Sequence, residues 1–387
     1  MPVNNRLADA LEDMTAWRRR LHETPELMYD LPETSAFVAG QLKAFGCDEV
    51  ATGIGRSGVV GVIKGRGEGR VIALRADMDA LPIREITGAS YASKVPGVMH
   101  ACGHDGHTTM LLGAAQHLAD TRAFAGTAVV VFQPAEEGGA GGKAMLDDGL
   151  MERFGVEEVY GMHNLPGLPV GRFAMRPGPI MASADHVEIT IEGKGSHAAK
   201  PNEGIDVVLT GAAIVTALQQ VVSRNVDPLA SGVVSITMFH AGEADNVLPP
   251  RAELTGTMRS LGAHIRQQLR DRVKEVAEAV GGAYGAKVSV KIVEGYPATV
   301  NHAAQTAFAQ DVAEDVAGTA NVDPMAPPLM AAEDFAYMLE ARPGAYIFIG
   351  NGDSAGLHHP AYDFNDAALP LGASYWVRLV ERALPLV

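Results

Sequence analysis

Two cysteines in 387 residues, Cys47 and Cys102, are too few and too far apart for a disulfide framework, and they point to a reducing compartment. Basic residues are also scarce. Thirty-one Lys and Arg against 46 Asp and Glu leave a formal charge of −15. That argues against the positive face that nucleic acid or an anionic membrane surface demands. No run of about 18 apolar residues occurs, and the opening MPVNNRLADALEDM lacks the apolar centre of a secretory signal, so a cytoplasmic protein with no membrane partner is expected. Low-complexity tracts and internal repeats are missing as well.

What remains is an ordinary globular composition, 47% hydrophobic and 20% charged. The chain exceeds the roughly 250–300 residues at which a single core stops growing, so two domains are expected. Apolar residues at helical spacing run through 5–23 and end at Pro25, and a second helix opens at Pro32 and stops at Gly46. The β-branched runs VVGVIKG (59–65), RVIALRA (70–76) and TAVVVFQ (127–133) alternate with a helix expected from about Thr108 to Ala119. This is the pattern of an α/β fold with a doubly wound, mostly parallel sheet. From about residue 184 the order becomes strand, helix, strand, strand, helix, strand, which is a ferredoxin-like α+β arrangement. The expected division is one discontinuous domain, 1–183 and 297–387, carrying an inserted domain, 184–296.

Two motifs fail on context. GIGRSG (53–58) has the glycines of a dinucleotide-binding turn but is followed by a strand rather than the required helix. GDSAG (352–356) resembles a nucleophile elbow, yet no helix follows it and no histidine occurs after His359.

Four polar clusters survive. MHACGHDGHTTM (99–110) places Cys102 and His104 two residues apart, so an extended backbone would aim both side chains to one side, with Gly103 permitting a tight turn. QPAEEGG (133–139) puts two adjacent glutamates where a strand ends, MHN (162–164) follows the strand-like EEVYG, and LHHP (357–360) follows AYIFIG. Strand ends are where α/β sheets bind ligands. Thiolate, imidazole and carboxylate together are donors for zinc or manganese. Of two neighbouring glutamates, one can hold a metal while the other takes a proton from water, which suggests metal-assisted hydrolysis of an amide or similar carbonyl compound.

MHACGHDGHTTMLLGAA, QPAEEGGAGGKAMLDDGL, GKGSHAAKP, MAAEDFAYMLEARPGAYIFIGNG and LHHPAYDFNDAALPLGASYW, with RRRLHETPEL near the N-terminus, resemble the amidohydrolase branch of the aminoacylase/carboxypeptidase metallopeptidase family. That branch includes hippurate hydrolase and the indoleacetyl-amino-acid hydrolases. The resemblance implies two divalent metal ions per subunit, manganese or zinc with cobalt or nickel as alternatives. Their ligands fall on Cys102, His104, Glu137, His163 and His358, and His359 is the fallback for the last. It implies Glu136 as general base and the inserted domain as a lid that forms a homodimer. His197 of that lid would reach the partner's active site to stabilise an oxyanion, with Asn246 and Arg259 near the substrate's carboxylate or carbonyl. The chain departs from the wider family at Asp77-Met78-Asp79, where a metal-binding histidine is usual, so Asp77 is not taken as a ligand and Asp79 is expected to orient a histidine. It also has Asn202 where the branch often has histidine. Asp105 is expected to cap its helix or hold a ligand in place. The implied reaction is hydrolysis of an N-acyl amino acid to a carboxylic acid and a free amino acid. The alternatives are a dipeptidase or carboxypeptidase of the same family, or a non-catalytic metal-binding relative.

Overall fold

Strands that lie between neighbours and under helices on both faces have no side to expose, and the sequence shows it: Val129, Val130, Val131 and Phe132 are all fully buried. In the computed structural model, which describes residues 4–386, this strand, Ala125–Gln133, joins Gly67–Asp77, Glu158–Pro166 and Gly344–Gly352 in a parallel array at the centre of an eight-stranded sheet. Glu49–Ile54 and Gly58–Lys64 extend one edge antiparallel, so GIGRSG is the turn of an antiparallel pair. The helix His104–Thr121 lies almost wholly inside and packs against Leu11–Glu23 and Leu369–Ala383. Because the four central strands run the same way, the segments after Asp77, after Gln133 and after Gly352 leave from one edge of the sheet.

The chain divides into two compact units, one of residues 1–180, 300–327 and 334–387, the other of 181–299 with 328–333. The short stretch 328–333, assigned by sequence to the larger domain, groups with the second unit instead. In that second unit the antiparallel strands Ser183–Glu192, Gly232–Ala241, Arg251–Ser260 and Lys287–Glu294 occur in the spatial order second, third, first, fourth. That is the ferredoxin-like order, and the fold class read from the sequence stands. Val207, Ile214, Leu218 and Val221 pack one helix face into the core of this unit, with Val187, Ile189, Leu254 and Leu269. The same helical stretch, Val207–Asn225, is the one among the described residues long and apolar enough to cross a membrane by length and composition.

Several boundaries differ from expectation. The stripe over 5–23 is two helices, Asn5–Asp9 and Leu11–Glu23, broken where Ala10 leaves helical geometry at ψ 4°. The helix expected from Thr108 begins at His104, because Gly103 adopts the left-handed conformation that starts it early.

Asp185 makes a prediction for the second unit. Its carboxylate, 1% exposed, accepts paired bonds from Arg266 (2.7 and 2.9 Å) and Arg270 (2.8 and 2.8 Å), and one from Gly295 N (3.1 Å). Burial alone would raise its pKa, but the two guanidinium hydrogen bonds outweigh it and bring it down to about 2. A depressed carboxylate contributes stability that is present above its unfolded value of about 4 and is lost as pH falls through the folded value. Asp185→Ala takes the shared carboxylate from two mostly buried arginines, leaving Arg270 only Glu294 (3.1 Å) and Arg266 only the Gly295 carbonyl (2.8 Å), with an expected loss of about 2–4 kcal/mol in urea unfolding at neutral pH. The gap to wild type should narrow as the pH approaches 2.

Candidate metal centre

Glycine at 103 is where the local geometry of the site begins. Its φ of 93° turns the chain between Cys102 and His104, so the segment is not extended as the spacing suggested; Cys102 ends a loop and His104 is the first residue of a helix. The two side chains nevertheless converge. Sγ of Cys102 lies 3.4 Å from Nε2 of His163, and ligand atoms of Cys102, His104 and His163 all fall within 4.8 Å of one another. A second group, Cys102, Glu137 and His358, meets the same criterion, as does a third, His104, Glu136 and Glu137. His358 Nε2 stands 3.3 Å and His104 Nε2 3.9 Å from Glu137 Oε1. All five residues named as ligands by resemblance are thus brought together around shared points, with Glu136 beside them.

Two of the three imidazoles are fixed through their other nitrogen. His104 Nδ1 donates to the Asp79 carbonyl (2.7 Å) and His163 Nδ1 to the Asn164 carbonyl (2.6 Å), leaving both Nε2 atoms facing the cluster. His104 Nε2 is buried with no hydrogen-bond partner. The Asp79 carboxylate accepts from the backbone N–H of Glu136 (2.9 Å) and of Glu137 (3.1 Å), fixing the glutamate loop. The Asp79 carbonyl holds the histidine, and its carboxylate, 3.6 Å from the same His104 Nδ1, also sets the glutamates. Ala135 at φ 52° and His358 at φ 62° hold left-handed conformations uncommon outside glycine, each beside a clustered side chain. His359 Nδ1 accepts from Ala361 N (3.1 Å), closing a local turn, while His358 is the one that meets Glu137.

Other expectations need correction. His163 lies inside its strand rather than beyond it, because pairing with Gly344–Gly352 continues to Pro166. Of the two roles expected of Asp105, capping is not made, since its Oδ2 takes His22 Nδ1 at 2.8 Å; the other, holding a ligand in place, is not overturned. Asp77, His104 and His107 also stand close enough to suggest a metal. The Asp77 oxygens, however, are engaged by His107 Nδ1 and Arg75 Nη1, both at 2.7 Å, and His107 Nε2 accepts from Asn164 N at 2.9 Å. That trio is a hydrogen-bonded support. Two supporting residues escaped sequence reading. Asn164 donates to the Cys102 carbonyl (2.6 Å) and accepts from Tyr362 OH (2.8 Å); it was in plain view within MHN. Arg75, fully enclosed, joins Asp77, Gln133 and Asp334, and the signal was a charge in the middle of the apolar RVIALRA.

The electrostatics fit a cation. Burial pushes the Cys102 thiol well up, and the charges of Glu137, Glu136 and Asp77 push it further. Burial and the neighbouring His107 hold His163 well below the ordinary imidazole range, so its nitrogen is an available lone pair. Burial would lower His104, but Asp77 and Asp79 outweigh it and raise it to about 10. Burial would raise Glu137, yet the His358 hydrogen bond and the His104 charge lower it. A negative cluster that retains a proton on His104 is a site where a divalent ion can take the proton's place. Gly103→Ala tests the turn: a Cβ there would press on Asn164 Nδ2 and Tyr362 OH at a φ that L-residues avoid. The expected cost is about 1–3 kcal/mol in thermal or urea unfolding, with weakened metal binding in titration.

In the second unit, His197 and Asn246 neighbour each other. His197 pairs with Val247 in a two-stranded ribbon, and Ala198 N donates to the Asn246 carbonyl (2.9 Å). His197 Nδ1 accepts from Ala199 N (3.0 Å). Arg259 lies in a different sheet, paired with Val233 and Ala184, half-buried and with its pKa lowered by that burial.

The profile of Peptidase family M20/M25/M40 matches residues 73–382. Hippurate hydrolase of Campylobacter jejuni is 41% identical over 367 residues, 95% of each chain, and N-acetyl-L-cysteine deacetylase of Bacillus subtilis is 41% identical over 97% of this chain and 88% of its own. The crystal structure of the Bacillus subtilis YXEP protein, described as a dinuclear metal binding peptidase from the M20 family, superposes with a TM-score of 0.86 at 36% identity, covering 98% of this chain and all of the other. The chain belongs to peptidase family M20/M25/M40, and it is a metal-binding amidohydrolase of that family.

Proposed function

We propose that this amidohydrolase cleaves the amide bond of N-acyl amino acids, with Cys102, His104, Glu137, His163 and His358 holding two divalent ions, manganese or zinc. The observation that carries the reading is the convergence of those five donors from four separate stretches of chain, with the Glu136 carboxylate within 4.8 Å of the His104 and Glu137 ligand atoms. Bound divalent ions supply Lewis acidity, polarising a carbonyl and acidifying water. Glu136 takes the proton from the attacking water and returns it to the departing nitrogen, so the amine leaves neutral. His197, acting in a partner subunit, donates to the developing oxyanion, and Asn246 with Arg259 bind the substrate's carboxylate or carbonyl.

Association through the second unit is part of the proposal. Its strand Gly232–Ala241 is at the sheet edge, and Met238 and Phe239 are exposed there. Phe239 sits over Gly211 of the helix that also exposes Val208 and Leu209. An unpaired strand edge with apolar side chains is a surface that favours pairing with a second copy. A cytoplasmic location accords with the free thiols of Cys47 and Cys102.

The test is release of free amino acid from a panel of N-acyl amino acids, run with metal-loaded and chelator-treated protein. Turnover by the loaded protein alone supports the reading. Preference for unblocked dipeptides or longer peptides would favour the peptidase alternative, which has a specific basis in the 40% identity to Thermostable carboxypeptidase 2 of Saccharolobus solfataricus.

A further inference from the structure

Arg18 and His22 stand one helical turn apart on the helix Leu11–Glu23, and the side chains of both are 0% exposed. A buried arginine and histidine are costly unless something there needs them, since a buried ion pair is often no more stable than apolar side chains of the same volume, and here they face a buried polar cluster in which His22 Nε2 also lies 3.4 Å from Glu85 Oε2. Their contacts show what they join. His22 Nδ1 meets Asp105 Oδ2 at 2.8 Å, and Arg18 Nη1 approaches the same oxygen at 3.5 Å. Asp105 follows His104 directly, in the first turn of the helix that carries it.

Arg18 also reaches the other side of the cluster. Its Nε donates to Asp366 Oδ1 (2.7 Å), its Nη1 lies 3.7 Å from Asp363 Oδ1, and its guanidinium stacks 4.4 Å over the Tyr91 ring. Tyr91 OH donates to Asp363 Oδ2 (2.7 Å). Asp363 and Asp366 lie in the segment that starts at His358, whose own N–H donates to the Ala101 carbonyl (2.7 Å). One face of an N-terminal helix therefore grips two stretches remote in sequence, and each stretch bears one of the clustered imidazoles.

We propose that Arg18 and His22 are positioning residues, which set the separation of His104 and His358 by clamping Asp105 on one side and Asp363 with Asp366 on the other. The inference rests on the metal-site reading above. Neither residue touches the donors; each acts through the backbone of the segment it holds.

The test uses the full chain, stripped of metal and titrated with Zn²⁺ or Mn²⁺ against a chromophoric chelator, with melting temperature and KM recorded alongside. His22→Leu removes the donor to Asp105, and its metal affinity is expected to fall about 10- to 100-fold, with KM for an N-acyl amino acid unchanged. His22→Asn, which keeps an N–H near the Nδ1 position, should restore most of that affinity. If His22→Leu does not fold, Arg18→Lys carries the test, because lysine retains the charge but not the fork that spans Asp105 and Asp366, and it should weaken metal binding in the same direction. Folded variants that melt lower yet bind metal as wild type does would overturn the inference and leave the metal site intact. Wild-type protein that binds neither ion would instead overturn the metal-site reading, and this proposal with it.

Discussion

Glu136→Gln is expected to lower kcat by about 10²- to 10⁴-fold while its metal content stays at the wild-type level. Glutamine has nearly the same shape, so nothing in the loop need move. The backbone at 136 is held by the Asp79 carboxylate through its N–H, a bond that does not involve the substituted side chain. Glutamine cannot accept and return a proton as a carboxylate does, so the loss should fall on kcat and not on KM. Metal analysis of the purified variant beside steady-state kinetics separates the outcomes. A parallel fall in metal would make Glu136 a ligand, and full activity would place the base elsewhere.

Cys102→Ala should lose both metal and turnover. The thiol stands at the junction of two donor groups, with His104 and His163 on one side and Glu137 and His358 on the other. Its removal therefore weakens both ion positions together. The expected signature is less than one ion per chain after dialysis against a weak chelator and activity near background. Folding should survive: an alanine there lacks one sulfur in a pocket already framed by hydrogen bonds from Asn164, and it removes a thiol that burial and three carboxylates disfavour as an anion. A variant that keeps two ions would show that the thiol is structural.

Much of this was readable in advance, for reasons that differ by element. The ferredoxin-like unit declares itself because HVEITIEG and AKVSVKIVEG alternate on a half-exposed sheet, and alternation survives in sequence wherever one face meets solvent. The donor types were legible too, since cysteine, histidine and paired glutamate stand out beside apolar strands. What bonds to what was not. Asp105 had the spacing of a helix cap but turned to His22, more than 80 positions away, and no local rule carries a contact of that range. The charge of Arg75 stands out within apolar RVIALRA, but nothing local ties it to Gln133 and Asp334. The left-handed residues Ala135 and His358 were invisible, because alanine and histidine do not announce a positive φ as glycine does.

The most direct measurement is anomalous diffraction from crystals of the chain loaded with zinc or manganese. Two peaks are predicted, bonded by Cys102 Sγ, by Nε2 of His104, His163 and His358, and by Glu137, with Glu136 outside bonding range. A single peak elsewhere, or five donors with no ion between them at saturating metal, would contradict the account.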